Sequence, residues 1–174
     1  MTVQGSLFDH RERRDLGSGA WIEIRSGWVD DGTRGIDTLF DDLRAAVPWR
    51  SERRRMYDRV LDVPRLVGFC DLATEPAPHP AVARWRRRLN DIYAGELGEP
   101  FTTAGFCLYR DGSDRVAWHG DTLGRGGTAD TMVAIVSVGA TRMFTMRRRG
   151  GGPSLRLPQN HGDLLVMGGS CQRT

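Results

Sequence analysis

A histidine and an aspartate flank one glycine in the segment His119–Gly120–Asp121, and their side chains are candidate metal ligands. In a β-strand, side chains two positions apart point to the same face, so this imidazole and carboxylate would converge. With a second histidine from a distant strand, they would form the two-histidine, one-carboxylate arrangement that binds Fe(II) and keeps coordination positions open. Taken alone, the pattern favours a simpler interpretation, a surface histidine and aspartate at the end of a strand.

The second half of the chain must supply the strands that position this pair. From residue 101 onward, short β-rich segments alternate with turn residues: TAGFCLYR, RVAWHGD, TMVAIVSV, RMFTMRRR, SLRL and DLLVMGG. Short strands at close spacing behind a helical region predict an α+β, mostly β fold. The specific architecture that we expect is a double-stranded β-helix, or jelly roll, supported by N-terminal helices.

The first hundred residues are expected to be helical and irregular. Two segments have apolar residues at helical spacing, GIDTLFDDLRAAVPW before Pro48 and PAVARWRRRLNDIYAGELG after His79. The apolar positions are Ile36, Leu39, Phe40 and Leu43 in the first segment, and Val82, Trp85, Leu89, Ile92 and Tyr93 in the second. Between them, RMYDRVLDVPRLVGF predicts a short hairpin or an edge segment, and DLATEPAPHPA predicts a linker.

Length and composition suit one domain, residues 1–174, with helices and a recognition region in 1–100 and a β core in 101–174. No apolar run is long enough to span a membrane and the N-terminal residues lack signal-peptide features, so we expect a soluble, cytoplasmic monomer. Three widely spaced cysteines, Cys70, Cys107 and Cys171, are expected to be reduced thiols.

Arginine supplies every one of the 25 basic residues, and the formal net charge is +3. The arginines cluster in RERR, SERRRMYDR, RWRRR and TMRRRG. Such clusters are compatible with solvated surfaces or with contacts to phosphate groups of a nucleic acid, and charge alone leaves both interpretations open.

Three segments, LYRDGSDRVAWHGD, IVSVGATRMFTMR and HGDLLVMGGSCQ, together resemble the catalytic core of the AlkB family of Fe(II)- and 2-oxoglutarate-dependent dioxygenases. The resemblance extends over residues 47–174, and VPWRSERRRMYDRVLDVPRL resembles the nucleotide-recognition region of bacterial AlkB-like proteins. It implies a double-stranded β-helix that uses Fe(II), 2-oxoglutarate and O₂ to dealkylate bases in single- or double-stranded DNA or RNA. In that reaction, 2-oxoglutarate is decarboxylated to succinate while an N-methyl carbon is hydroxylated and released as formaldehyde.

By the same resemblance, His119 and Asp121 are iron ligands and catalytic residues, and Tyr109 binds 2-oxoglutarate. Cys107 stands where the family usually has asparagine in its N-x-Y motif. A thiol is a weaker hydrogen-bond donor than an amide, so the contact of Cys107 with the co-substrate is expected to be weakened.

The resemblance also implies a substrate-binding region. Pro64 and Arg65 match a proline-arginine pair near the target base, and Trp118 and Arg142 are further candidates. Strand alternation would instead turn Trp118 away from His119 and into the core, and an arginine at a strand end is often solvated.

Two further pairs of residues bear on base recognition. Val60 and Leu61 would either wedge the target base out of its stack or cover the core as part of an edge hairpin. Thr122 and Leu123 stand where family members commonly carry an acidic residue that reads the base. Base selectivity therefore does not follow from the resemblance.

The end of the sequence departs from the family pattern, in which M-x-G-x-x-Q precedes a distal histidine and two arginines that bind 2-oxoglutarate. The chain stops at GGSCQRT, and His10, His79 and His161 are poor substitutes. We therefore expect a truncated chain with impaired activity. Two alternatives remain, an oxygenase of the same fold that acts on a small molecule or protein, and a non-catalytic jelly-roll binding module.

Overall fold

The computed structural model describes residues 11–29, 38–56, 59–121 and 124–174. In these ranges the chain forms mostly strands, with two α-helices and one 3₁₀ turn, which confirms the predicted mostly β class. The strands are β1 (Arg11–Gly17), β2 (Ala20–Arg25), β3 (Arg50–Met56), β4 (Arg59–Asp71), β5 (Thr103–Leu108), β6 (Val133–Val136), β7 (Arg142–Met146), β8 (Leu155–Gln159) and β9 (Leu164–Gly169). The helices are α1 (Leu39–Ala46) and α2 (Pro80–Leu97), and the 3₁₀ turn is Gly124–Gly127.

These elements belong to two compact units. Unit 1 comprises residues 1–40 and 120–174, and unit 2 comprises residues 41–119. Unit 1 thus combines segments from both ends of the sequence, whereas unit 2 is continuous. The single domain expected from the sequence, with its division near residue 100, stays a prediction.

The core of unit 1 is an antiparallel sheet with the strand order β1-β2-β9-β6. Strands β2 and β9 pair from Ala20 opposite Gly169 to Arg25 opposite Leu164. Strand β9, LLVMGG, is buried along nearly its whole length, as expected for an apolar central strand. The buried core cluster consists of Ile22, Leu157, Leu165 and Met167. Leu157 comes from β8, which pairs with β7 in a separate two-stranded sheet.

Strands β1 and β2 show that the expectation of a helical and irregular region was wrong for residues 11–25, although α1 and α2 do form within the first hundred residues. The two strands form an antiparallel hairpin around Ser18 and Gly19. Within it, the carboxylate of Glu23 is fully buried and pairs with Arg13 at 3.0 Å. The alternation of apolar and polar residues in these two strands was hard to recognise, because charged residues occupy positions where apolar residues usually mark a strand.

Unit 2 contains a three-stranded antiparallel sheet in which β4 is the central strand. The predicted hairpin is confirmed, because β3 and β4 pair antiparallel with Met56 opposite Arg59. The alternative of an edge segment is wrong, because β4 is a central strand of 13 residues. Pairing with β3 changes register between Ser51 and Arg53, and pairing with β5 begins at Leu66, so Pro64 lies between regular stretches. A central strand can accommodate proline at such an irregularity, because no regular ladder bond is lost there.

Helix α2 confirms the predicted second helix. The side chain of His79 caps its N-terminus by accepting a hydrogen bond from the Ala81 backbone N–H, and Pro80 lies in the first turn. Gly98 ends the helix with φ 81°, a left-handed conformation that favours glycine. The buried face consists of Ala81, Val82, Leu89, Tyr93 and Leu97, and the predicted stripe members Trp85 and Ile92 are half-buried.

Helix α1 begins at Leu39 and ends before Pro48, as the apolar spacing predicted. Ile36, also assigned to this helix, lies outside the described residues. Neither helix in the described ranges has the length and apolar character needed to cross a membrane.

Candidate active site

The segment that leads to the candidate metal ligands is irregular. Residues 115–121 were predicted to form a strand, but no strand forms there and every one of these residues is exposed. The preceding Asp114 is 2% exposed and accepts hydrogen bonds from the backbone N–H and the guanidinium of Arg110, each at 2.8 Å. Because the turn at Asp114 replaces a strand, the expected same-face spacing of His119 and Asp121 does not apply.

The imidazole of His119 has a defined tautomer. Its Nδ1 lies 2.8 Å from the carbonyl oxygen of Ala117, and because a carbonyl only accepts, Nδ1 carries the proton. In the neutral imidazole, the lone pair is then on Nε2. Histidines that bind metals commonly donate their second ring N–H to a carbonyl in this way, so His119 fits the role of a metal ligand.

Asp121 is held through its backbone. Its N–H donates a 2.8 Å hydrogen bond to Oε1 of Gln172, which is buried, while Asp121 itself is exposed. The division between the two units falls after His119, so Asp121 belongs to unit 1 and His119 to unit 2. A carboxylate with a fixed backbone suits Fe(II), whose non-haem oxygenase sites combine histidine nitrogens with one carboxylate oxygen.

The candidate 2-oxoglutarate residues lie at the end of β5. Cys107 is exposed and is paired with Val67 of β4, whereas the next residue, Leu108, is buried. Tyr109 follows the last residue of the strand and is half-buried. Cys107 therefore lies on the exposed face of the unit 2 sheet.

Pro64 and Arg65 lie in the middle of β4. The carbonyl oxygen of Pro64 accepts a hydrogen bond from the Arg115 backbone N–H at 2.8 Å. The structure thus brings this predicted substrate-binding pair beside the segment that carries Trp118 and His119. Arg65 is half-buried, and among the described residues its Nε has no hydrogen-bond partner.

Trp118 corrects one expectation. Its side chain is 53% exposed, so the prediction that it packs in the core was wrong. The reason is local, because core packing was inferred from a strand alternation that residues 115–121 do not adopt. Arg142 is half-buried at the first position of β7, opposite Gln159.

Two other predicted pairs fall where the structure gives no side-chain description. Val60 and Leu61 are opposite Arg55 and Arg54 in the β3–β4 register, but the side chains of these four residues lie outside the described part. Thr122 and Leu123 also lie outside the described residues.

His161 is engaged in a turn of unit 1. Its Nδ1 accepts a hydrogen bond from the Gly139 backbone N–H at 2.9 Å, and its Nε2 is buried without a hydrogen-bond partner among the described residues. Across residues 11–29, 38–56, 59–121 and 124–174, no group of three or more His, Cys, Asp or Glu side chains is arranged to hold a metal.

Three residues that shape the site were not predicted to do so. Asp114 organises the turn before His119, Gln172 holds Asp121, and Gly120 permits close contact with the Gln172 backbone. The Asp-Gly-Ser-Asp sequence signalled a turn, but the contacts of Gln172 connect residues 51 positions apart. Local spacing carries no information on such a contact.

Comparison with known proteins supplies the family context. Residues 26–174 match the sequence profile described as the 2OG-Fe(II) oxygenase superfamily. The chain is 29% identical to the alpha-ketoglutarate-dependent dioxygenase alkB homolog 3 of Bos taurus and of Homo sapiens, covering 84% of this chain and 55% of each relative. The chain thus spans about half the length of the curated relatives it matches. These similarities confirm the resemblance predicted from the motifs.

Proposed function

Because this chain belongs to the 2OG-Fe(II) oxygenase superfamily, we propose that it removes alkyl groups oxidatively from bases in DNA or RNA. The observation that carries the proposal is the similarity to alkB homolog 3 over 84% of the chain. Family membership also supports assigning the strands of unit 1 to a double-stranded β-helix. The antiparallel pairing of β2 with the distant β9 is compatible with that assignment.

The proposed metal ligands in this chain are His119 and Asp121. The hydrogen bond from His119 Nδ1 to the Ala117 carbonyl supports the role of Nε2 as a ligand atom. The backbone contact between Asp121 and Gln172 limits the positions that the carboxylate can occupy. When bound, Fe(II) and 2-oxoglutarate supply the O₂ chemistry that hydroxylation of an N-alkyl carbon requires.

Tyr109 and Cys107 are proposed to contact 2-oxoglutarate. The phenol of Tyr109 can donate a hydrogen bond to a carboxylate, whereas the thiol of Cys107 is a weaker donor. The two residues lie at the end of β5, in the same unit as His119.

The proposed nucleic-acid contacts are Pro64, Arg65 and Trp118, with Arg142 as a further candidate. An exposed indole can stack on an unpaired base, and stacking of this kind tolerates any base. The Pro64–Arg115 hydrogen bond supports placing Trp118 and Arg65 in one region of unit 2.

A metal titration tests the proposed ligands. We expect His119→Ala and Asp121→Ala to abolish measurable Mn(II) binding, because two protein ligands already hold the ion weakly. His79→Ser is the matched histidine control, because serine keeps an N-cap acceptor for α2. Equal Mn(II) affinity for His119→Ala and the parent chain would remove the basis of the proposed site.

Product analysis tests the reaction itself. The protein is incubated with Fe(II), ascorbate, 2-oxoglutarate and a methylated oligonucleotide, and succinate and formaldehyde are quantified. Formaldehyde that appears together with succinate and disappears in His119→Ala supports dealkylation. If succinate forms but no methylated oligonucleotide increases its formation, the result contradicts dealkylation.

A nucleic-acid binding assay tests the substrate class. Charge reversal of Arg53, Arg54 and Arg55 is expected to weaken binding to single-stranded oligonucleotides and to make it less salt-dependent, because phosphate contacts release counterions. Reversal of the matched run of residues 147–149 in unit 1 is expected to change binding less. If charge reversal of Arg53, Arg54 and Arg55 leaves both the affinity and its salt dependence unchanged, these three arginines do not form the nucleic-acid-binding surface.

A second candidate function is oxidation of a small molecule or a protein by the same chemistry. The observation that favours it is Thr122, which stands where family members commonly have an acidic base-reading residue. Oligonucleotide-independent product formation that requires His119 would favour this candidate.

A further inference from the structure

Gln172 connects the last part of the chain to Asp121. Its Oε1 accepts the Asp121 backbone N–H at 2.8 Å, and its Nε2 donates to the sulfur of Met167 at 3.7 Å. The Gln172 side chain is only 9% exposed. Because both ends of the carboxamide are engaged, its orientation is defined and the oxygen faces Asp121.

Two glycines permit the backbone contacts around Asp121. A Cβ atom at Gly120 would lie 2.4 Å from the carbonyl oxygen of Gln172, and a Cβ at Gly126 would lie 2.2 Å from the carbonyl oxygen of Asp121. Real Cβ atoms do not approach oxygen this closely. The backbone of residues 120 and 121 is thus held between Gln172 on one side and Gly126 on the other.

We infer that Gln172 is a positioning residue that fixes the backbone of Asp121 so that its carboxylate is oriented for metal binding. The inference rests on the proposed function, in which Asp121 is a metal ligand. Carboxylate ligands bind best when outer groups hold them in place, since the ion then does not have to order them. Gln172 acts on Asp121 from the buried side and takes no part in coordination itself.

Two substitutions at Gln172 distinguish the effect of its hydrogen-bond acceptor from the effect of its side-chain volume. Gln172→Met keeps a similar volume but removes the acceptor for the Asp121 N–H, whereas Gln172→Glu keeps an oxygen at that position. Gln159→Met is the matched control in the same unit. Gln159 is 4% exposed, and among the described residues its Oε1 has no hydrogen-bond partner.

The measurements are Mn(II) affinity, followed by electron paramagnetic resonance, and the melting temperature of each variant. Gln172→Met is expected to lower Mn(II) affinity about 10-fold, the low end of the loss typical for partners of metal ligands. Gln172→Glu is expected to keep at least the parental affinity. Gln159→Met is expected to leave Mn(II) affinity unchanged, because the side chain of Gln159 donates to the adjacent Pro158 carbonyl oxygen and not to the segment around Asp121. Equal Mn(II) affinities for Gln172→Met and Gln159→Met would overturn the inference.

Asp121→Asn distinguishes failure of this inference from failure of the proposed function. If Asp121→Asn binds Mn(II) as tightly as the parent chain, the proposed metal site is wrong and Gln172 has no ligand to position. If Asp121→Asn loses Mn(II) while Gln172→Met keeps it, only the positioning role is wrong. Should Gln172→Met not fold, Gly120→Ala disrupts the same contact and is expected to lower Mn(II) affinity in the same way.

Discussion

The backbone N–H of Arg115 donates a hydrogen bond to the carbonyl oxygen of Pro64 at 2.8 Å. Pro64 lies in β4 before pairing with β5 begins at Leu66, so its carbonyl is available to a partner outside the regular ladder. The bond brings a predicted substrate-binding residue beside the segment that continues to Trp118 and His119. Two regions that are distant in sequence thereby meet within unit 2.

The turn at Asp114 is expected to control the placement of this segment. Asp114→Ala leaves the Arg110 backbone N–H without its acceptor and should destabilise the protein by about 1–3 kcal/mol. The guanidinium of Arg110 is largely exposed and can regain water, which limits the loss. Urea unfolding measures the change.

Asp111→Ala is the control for this turn. Asp111 is exposed and accepts hydrogen bonds from the backbone and hydroxyl of Ser113, which lower the pKa of its carboxyl group. Because water can replace these contacts, its substitution should be less destabilising than that of Asp114. A larger loss for Asp111→Ala would show that the buried contact is not the main support of the turn.

The contact between Gly168 and Trp21 predicts strong sensitivity to a single methyl group. A Cβ at Gly168 would lie 2.0 Å from Cζ2 of Trp21 on the paired strand. Gly168→Ala should therefore destabilise the protein by about 1–3 kcal/mol, the usual effect of overpacking. Gly95→Ala, in α2 with no atom within 4 Å of the added Cβ, should instead stabilise by about 0.5–1 kcal/mol. Thermal unfolding of both variants checks the opposite signs.

Cys171 predicts a dependence of stability on alkaline pH. Burial raises the pKa of its thiol, which also donates a hydrogen bond to the carbonyl oxygen of Trp21 at 3.1 Å. With the folded pKa above the unfolded pKa of about 8.5, the unfolded state binds fewer protons between the two values. The contribution of the protonated Cys171 thiol to the free energy of unfolding is therefore complete below the unfolded pKa. It is lost as pH rises through the folded pKa.

The test of Cys171 is the free energy of unfolding from neutral to alkaline pH under reducing conditions. Burial also raises the pKa of Cys70, so a decline with rising pH remains in any variant that keeps Cys70. Cys171→Ala should decline less steeply than the parent chain. If the free energy of unfolding falls equally with pH in Cys171→Ala and in the parent chain, the raised pKa of Cys171 is not the cause of the decline.

Thiol labelling tests the proposed co-substrate contact. Cys107 is exposed and Cys70 is buried, so a thiol reagent should modify Cys107 first. If Cys107 contacts 2-oxoglutarate, Mn(II) with 2-oxoglutarate should slow its modification, because the bound co-substrate covers the sulfur. Cys107→Ser identifies the rapid phase. A rapid phase that 2-oxoglutarate leaves unchanged would argue against this contact.

Sequence alone determined the elements whose signals are local. Helix α2 was predicted because Pro80 and the apolar spacing that includes Val82 and Leu89 specify a helix through neighbouring residues. The strands from β6 to β9 were recognised because short β-rich runs alternate with turn residues. The motif around His119 and Asp121 likewise indicated the family, since residue type and order along the chain are sequence properties.

Only the tertiary structure decided how these elements combine. Strand β2 pairs with β9 from the opposite end of the chain, and Pro64 is accommodated in a central strand by a shift in the register of its neighbour. The segment before His119 is irregular because Asp114 turns inward, and Asp121 is held by Gln172. The physical reason is common to all four features. Each depends on hydrogen bonds or close packing between specific atoms, often far apart in sequence, whereas periodicity reports only which face of an element is apolar.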